Sequence, residues 1–309
     1  MTLPVDNYNH QVGKAYKAAR KNHRMYATDF GYADETLKSK GIKIAYLDGK
    51  HRKVKLVVNP GLLLGEGDAY TLWKPTSGSI SDLRNTLKTQ IEAYFQSVYT
   101  LNDFKLSRID YAADIDVGDK GKVFDYIRVL HSVGRLKGYS SIEYGKLPRS
   151  GYFGVAGNNN GTEFRVYGLK NNKWVLRAEV RLTDGRAVRA YSDEADTSKQ
   201  IKHMAKESET IFLDIFTRIV PFGDFRKKSK VLEIIEREVT DATMKRKMLR
   251  LLELVPSKKS LYLAQKASKI RDIDRVMQAF WEIGVAPVTI SKRHGVKKLR
   301  NIYDYIFSR

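Results

Sequence analysis

Between residues 105 and 117 apolar and polar positions alternate one for one. Ile109, Tyr111, Ala113, Ile115 and Val117 interleave with Arg108, Asp110, Ala112, Asp114 and Asp116. Side chains two apart on a strand point to the same side, so this run predicts a strand with one apolar and one charged face. The alternation returns at 161–169, where Glu163, Arg165 and Tyr167 oppose Phe164 and Val166. It returns again at 173–183, where Arg177, Glu179 and Arg181 oppose Trp174, Leu176, Ala178, Val180 and Leu182. Further strands are expected at 139–145 and 150–156, separated by turns rich in Gly and Asn. Upstream, Gly41–Leu47 and Val54–Val58 flank the polar turn Asp48-Gly49-Lys50-His51 and read as a hairpin.

Other stretches carry the helical period. Ile80, Leu83, Leu87, Ile91, Phe95 and Val98 recur at three- and four-residue steps behind a cap at Ser79 or Ser81, predicting a helix over 79–99. Val123, Ile127 and Leu130 predict a second over 122–136. The apolar sides of the strands are expected to bury against both. From about 197 onward the pattern is helical to the end, with breaks near Pro221, Pro256 and Pro287. The fold class is therefore α+β: an antiparallel sheet with helices packed on one face, followed by an all-helical C-terminal region. Residues 1–40 read as a basic N-terminal arm, 41–198 as the α+β domain and 199–309 as the basic helical region.

Charge narrows the partner. Lys and Arg number 56 against 35 Asp and Glu, a net +21. Residues 199–309 hold 25 of the former and 13 of the latter, so this shorter part carries 25 − 13 = +12 of the total. Such an excess points to a polyanion, either nucleic acid or an acidic membrane. No apolar run approaches the ~20 residues of a membrane span, and the first residues lack the basic-then-apolar pattern of a secretion signal. DNA as partner, no membrane, and a cytoplasmic location are the expectations. The absence of Cys removes disulfides, zinc–thiolate sites and thiol nucleophiles. GLLLGEG at 61–67 lacks the Gly-Lys-Ser/Thr ending of a phosphate loop, so strand separation calls for a separate helicase. The helices expected near 257–283 and the basic stretch 289–298 suit a winged-helix or helix-turn-helix reader, or equally a basic bundle.

The charged strand faces carry the candidate chemistry. An ordinary half-solvated sheet with salt-bridged cross-strand pairs shows the same alternation. The mixture is less ordinary: carboxylates hold hard divalent cations, arginines hold phosphate in a fork, and a Tyr hydroxyl can attack a phosphodiester. Asp110 and Asp114 lie about 13 Å apart along one strand and cannot share an ion, whereas an Asp and Glu179 from neighbouring strands can. Tyr167 is the tyrosine on the charged side, with Tyr144 and Tyr152 on nearby strands as substitutes.

The segments LSRIDYAADIDV (106–117), TEFRVYGLKNN (162–172) and VLRAEVRL (175–182) resemble the replication initiation factor family. That family includes Rep initiators of rolling-circle plasmids, relaxase-like proteins of integrative elements and gene II replication proteins of filamentous phages. The resemblance implies a Rep-type nicking domain that cleaves origin DNA, single- and double-stranded, through a 5′-phosphotyrosine. It implies Tyr167 as nucleophile, Asp110 and Glu179 as ligands of a divalent ion (Mg²⁺ or Mn²⁺), and Arg165, Lys170 and Arg181 as phosphate-holding groups. A host helicase and a homodimer are the expected protein partners. There are two departures. The His-hydrophobe-His metal triad of better-known rolling-circle nucleases is absent, and Lys170 follows Tyr167 by three residues where many members have two. A non-catalytic DNA-binding regulator and a metal-dependent nuclease using water are the competing expectations.

Overall fold

A computed structural model describes residues 1–3, 25–28, 31–47, 53–68, 70–96, 99–134, 138–142, 151–158, 160–170 and 172–307. The chain is mixed α+β with antiparallel sheets, and it falls into two compact units. The first comprises 1–109 with 182–211 and the second 110–181 with 212–309, a division that differs from the expected boundaries at 40 and 198. No helix among the described residues is long and apolar enough to cross a membrane.

The first unit is built on a five-stranded sheet of β1 (Thr2–Leu3), β2 (Met25–Thr28), β3 (Gly31–Asp34), β4 (Ile42–Leu47) and β5 (Lys53–Val58), ordered β1-β5-β4-β3-β2. Every neighbouring pair is antiparallel. The β4–β5 hairpin is as expected, although its turn lies outside the described residues. The arm is not: residues 1–40 supply three of the five strands. β1 finds its partner, β5, some fifty residues on, and β2 and β3 are short, weakly patterned strands that do not announce themselves. Ile42, Ile44, Tyr46, Val54 and Leu56 form the buried side. The helix Ser77–Tyr94 buries Ile80, Leu83, Leu87 and Ile91 in this unit, and its Tyr94 hydroxyl bonds Tyr46 and Asp34, both at 2.7 Å. Thr76, rather than Ser79 or Ser81, caps it, in a reciprocal box with Ser79.

The second unit carries β6 (Ile109–Ile115), β7 (Tyr139–Ser141), β8 (Tyr152–Gly157), β9 (Thr162–Lys170) and β10 (Trp174–Leu182), ordered β6-β10-β9-β8-β7. The apolar side of this sheet packs on the helix Lys120–Val133, which Asp119 caps through the Lys122 amide at 2.9 Å. At Gly168 the two elements approach so closely that a Cβ would meet Val123 Cγ1 at 3.1 Å. Phe164 meets Phe153 and Phe216 edge-on, tying the sheet to the helix Ser208–Ile219. The helix expected at 79–99, found at Ser77–Tyr94, falls in the first unit.

The C-terminal region is helical but not wholly so. Helices at Lys228–Glu238, Ala242–Lys258, Leu261–Ser268 and Ile273–Glu282 are followed by an extended segment, and β11 (Phe225–Arg226) pairs with β12 (Lys298–Leu299). Pro256 does not break its helix. It sits in the final turn, two residues before the end, where the chain leaves the helix in any case. The Lys227 ammonium donates to the carbonyls of Ser291, Lys292 and His294 at 2.6, 3.3 and 2.5 Å, fixing a loop on which Lys292, Arg293, Lys297 and Lys298 are exposed.

Candidate active site

Sheet alternation and strand order together assemble one charged surface in the second unit. Arg177 on β10 grips Asp114 on β6 with both ends of its guanidinium, at 2.6 and 2.7 Å. Four residues on, Arg181 lies 3.4 Å from Asp110. The two pairs keep a constant sum of residue numbers, as antiparallel neighbours must. On the other side of β10, the Tyr167 hydroxyl of β9 donates to Glu179 Oε1. Glu179 Oε2 accepts from Arg181 at 3.0 and 2.5 Å. Arg165 and Glu163 pair along β9. One strand further, Tyr152 stands directly across from Tyr167. Its ring lies over Gly154, where a Cβ would collide with the hydroxyl.

Burial makes these contacts more than surface decoration. Arg177 is 6% exposed and Glu179 9%, so neither charge is tolerable without its partners. Burial lowers the Arg177 pKa, but the Asp114 pair outweighs it and leaves the guanidinium raised and firmly charged. The Tyr167 hydroxyl is pushed above the ordinary tyrosine range, first by burial and then by Glu179, which favours the proton staying on. Arg177, close to the same oxygen, pulls the other way. Tyr167 is thus a protonated phenol with a carboxylate acceptor already on its proton and a guanidinium beside its oxygen.

Of the residues named from the sequence, Tyr167, Glu179, Arg181, Asp110 and Arg165 share this surface. Lys170 does not. It shares the side of β9 with Val166 and Gly168, which faces the helix Lys120–Val133, and it ends the strand exposed. An odd step of three residues from Tyr167 imposes this on a regular strand. Arg177 was not singled out from the others, yet it is the most deeply set cation of the group. Its place in the alternating Arg177-x-Glu179-x-Arg181 run was the available signal. Of the alternative tyrosines, Tyr152 shares the charged side and Tyr144 lies outside the described residues.

The expected metal ligands do not form a ready cage. Asp110 and Glu179 both face Arg181, and Glu179 also holds the Tyr167 hydroxyl, so a cation would compete with a guanidinium for both carboxylates. Among the described residues no group of three His, Asp or Glu side chains is placed to hold an ion. Comparison with family models, curated proteins and solved structures found no match to this chain.

Proposed function

We propose that this chain is a rolling-circle replication initiator that nicks and rejoins one DNA strand through Tyr167. The observation that carries the reading is the Tyr167–Glu179–Arg181 relay beside Arg177 on one strand surface. Glu179 takes the hydroxyl proton as the Tyr167 oxygen attacks phosphorus. A bond from phosphorus to the Tyr167 oxygen forms, the bond to the 3′ oxygen breaks, and that oxygen leaves with a proton from water. The product is a 5′-phosphotyrosine and a free 3′-OH. The reverse transfer reseals the strand without ATP, because the phosphodiester is conserved. In this reading Arg177 and Arg181 hold the scissile phosphate and its developing charge.

Electrostatic bookkeeping adds a condition. Asp110, Asp114, Glu163 and Glu179 against Arg165, Arg177 and Arg181 leave 3 − 4 = −1, so a phosphate needs further positive charge at this surface. That is the place in this reading for the divalent ion, Mg²⁺ or Mn²⁺, as a companion of the DNA. The partners are origin DNA, a host helicase and a second copy of the chain, in the cytoplasm. A non-catalytic DNA-binding role has one observation in its favour: every carboxylate of the surface is paired with an arginine, as in a purely structural sheet.

The deciding experiment incubates the protein with supercoiled and single-stranded origin DNA, with Mn²⁺ or with EDTA, and resolves products under denaturing conditions. Wild type gives a covalent protein–DNA band and a nick. Tyr167→Phe loses both while still binding DNA, and Tyr152→Phe keeps both. An adduct from Tyr167→Phe refutes the assignment of the nucleophile. A nick without an adduct from that variant gives the reaction to water.

A further inference from the structure

Three segments of the second unit meet around β11. On one side β12 pairs with it antiparallel, with Phe225 across from Leu299 and Arg226 across from Lys298. On the other side the chain from Val285 to Ile290 runs parallel to it, bridged at Asp224–Val285 and Lys227–Ile290. The Ala286 and Ile290 amides donate to the carbonyls of Asp224 and Arg226, both at 2.9 Å, so residues 224 and 226 turn their backbone to this neighbour and Phe225 turns the other way, to β12. The loop 291–297 therefore leaves one edge of this small sheet and returns at the other, crossing the end of β11 where Lys227 stands.

Lys227 gives the loop its shape. Its ammonium draws in the carbonyls of Ser291, Lys292 and His294 at 2.6, 3.3 and 2.5 Å, and the His294 amide closes a turn onto the Ser291 carbonyl at 3.1 Å. With the carbonyls turned inward, Lys292, Arg293 and Lys297 stand exposed, and the apolar Val296 is half-buried. From Val285 to Asn301 the chain holds five Lys and Arg and no Asp or Glu. Two of the five are engaged, Lys298 with Asp224 and Arg300 with Asp304, both at 2.8 Å. Lys292, Arg293 and Lys297 make no ion pair among the described residues. They sit on the two limbs of the loop, Lys292 and Arg293 after Ile290 and Lys297 before Lys298. The feet of those limbs stand on either side of β11, two strand spacings or about 9.6 Å apart.

We propose that the loop 291–297 is a wing that docks on the phosphate backbone of duplex DNA, straddling one groove, with Lys227 as the positioning residue that holds it in shape. Charge complementarity selects a polyanion, since three cations on a fixed loop have no protein partner to give up on binding. Arg293 adds a guanidinium fork, which suits a phosphate. Geometry selects the duplex. A minor groove about 6 Å wide is bordered by two rows of phosphates, and two limbs about 9.6 Å apart reach both rows at once, whereas a single strand offers only one. A membrane-seated loop would bury apolar side chains at the interface, and the exposed side chains here are Ser291, Lys292, Arg293, Lys297 and Lys298. The proposal rests on the nicking reading only in taking DNA as the polyanion.

The test measures binding of the full chain to a short mixed-sequence duplex, and to one of its strands alone, across a range of salt concentrations. The triple variant Lys292→Gln, Arg293→Gln, Lys297→Gln should flatten the slope of log K against log salt by roughly 2–3 on the duplex, at ~0.9 per lost phosphate contact. On the single strand the change should stay below about 1.5, at ~0.7 per contact from one limb. A second measurement leaves the cations in place. The chain has no Cys, so Gly295→Cys, at an exposed position where a side chain meets nothing within 4 Å, takes a single iron–EDTA label. The labelled protein should cut both strands of the bound duplex. An unchanged duplex slope in the triple variant, or a bound duplex left uncut by the label, overturns the wing even if the wild type forms the covalent adduct. A flattened slope with cutting upholds it even if the wild type forms none. An equal change on duplex and single strand overturns the two-row docking. Binding to vesicles rich in anionic lipid that the triple variant loses, with duplex binding intact, overturns it in favour of a membrane surface.

Discussion

Asp114→Asn probes how the charged surface is held together. The Arg177 side chain is 7% exposed and that of Asp114 30%, and the guanidinium meets both carboxylate oxygens at 2.6 and 2.7 Å. Breaking a fully buried pair from one side costs about 3–5 kcal/mol, because the surviving charge is left without a partner. A charge-assisted hydrogen bond contributes about 1.5–3 kcal/mol. The partial exposure of Asp114 gives water a route to the stranded guanidinium, so Asp114→Asn is expected to lose roughly 2 kcal/mol, short of the buried limit. Arg177→Met leaves behind the more exposed partner, which water can solvate, and should cost about 1 kcal/mol. In that background Asp114→Asn should add less than about 0.5 kcal/mol, a coupling of at least 1.5 kcal/mol. Urea unfolding followed by tryptophan fluorescence in a Trp73→Phe background reads the second unit alone, because Trp174 and Trp281 both belong to it. Additive losses in the double variant, or a loss below about 0.5 kcal/mol in Asp114→Asn alone, would refute the argument that burial makes this pair structural.

Alkaline pH should destabilise the fold. Burial first, aided by neighbouring Tyr46, Tyr305 and Glu179 respectively, holds Tyr94, Tyr126 and Tyr167 above the ordinary tyrosine range, and burial alone does so for Tyr303. Unfolded tyrosines ionise near 10 and these four later, so their contribution is complete below pH ~10 and is lost as pH rises above it. A urea midpoint that stays flat through that rise contradicts the assignment. Lys227→Met removes the donor that holds the carbonyls of Ser291, Lys292 and His294. Limited trypsin digestion should cut after Lys292 or Arg293 about tenfold faster, equivalent to ~1.4 kcal/mol of local stability, and an unchanged rate means the loop is held by other contacts.

Strand alternation is a local property, and it was legible. The segments around 109–115, 162–170 and 174–182 needed only their own apolar positions to announce two-sided strands, and Asp110, Tyr167, Glu179 and Arg181 fell on the charged side for that reason alone. The helix expected at 122–136 and found at Lys120–Val133 was equally self-declaring, because its apolar stripe lies within one short stretch. Lys170, which the motif resemblance put with Tyr167, falls on the other side of β9 by the same alternation, being an odd number of residues away. What the chain could not disclose locally is everything that depends on partners distant in sequence. The strands of the first forty residues are short, and they join the sheet only because β1 pairs with β5 and β3 with β4. The helix Ser77–Tyr94 shows which side is apolar but not which sheet receives it. Arg181 stands between Asp110 and Glu179, and Arg177 is locked to Asp114 across about sixty residues of chain, because strand order brings β6 beside β10. Periodicity determines which side of an element is charged. Only the tertiary arrangement decides which charges meet, because burial and pairing energies belong to neighbours in space rather than in sequence.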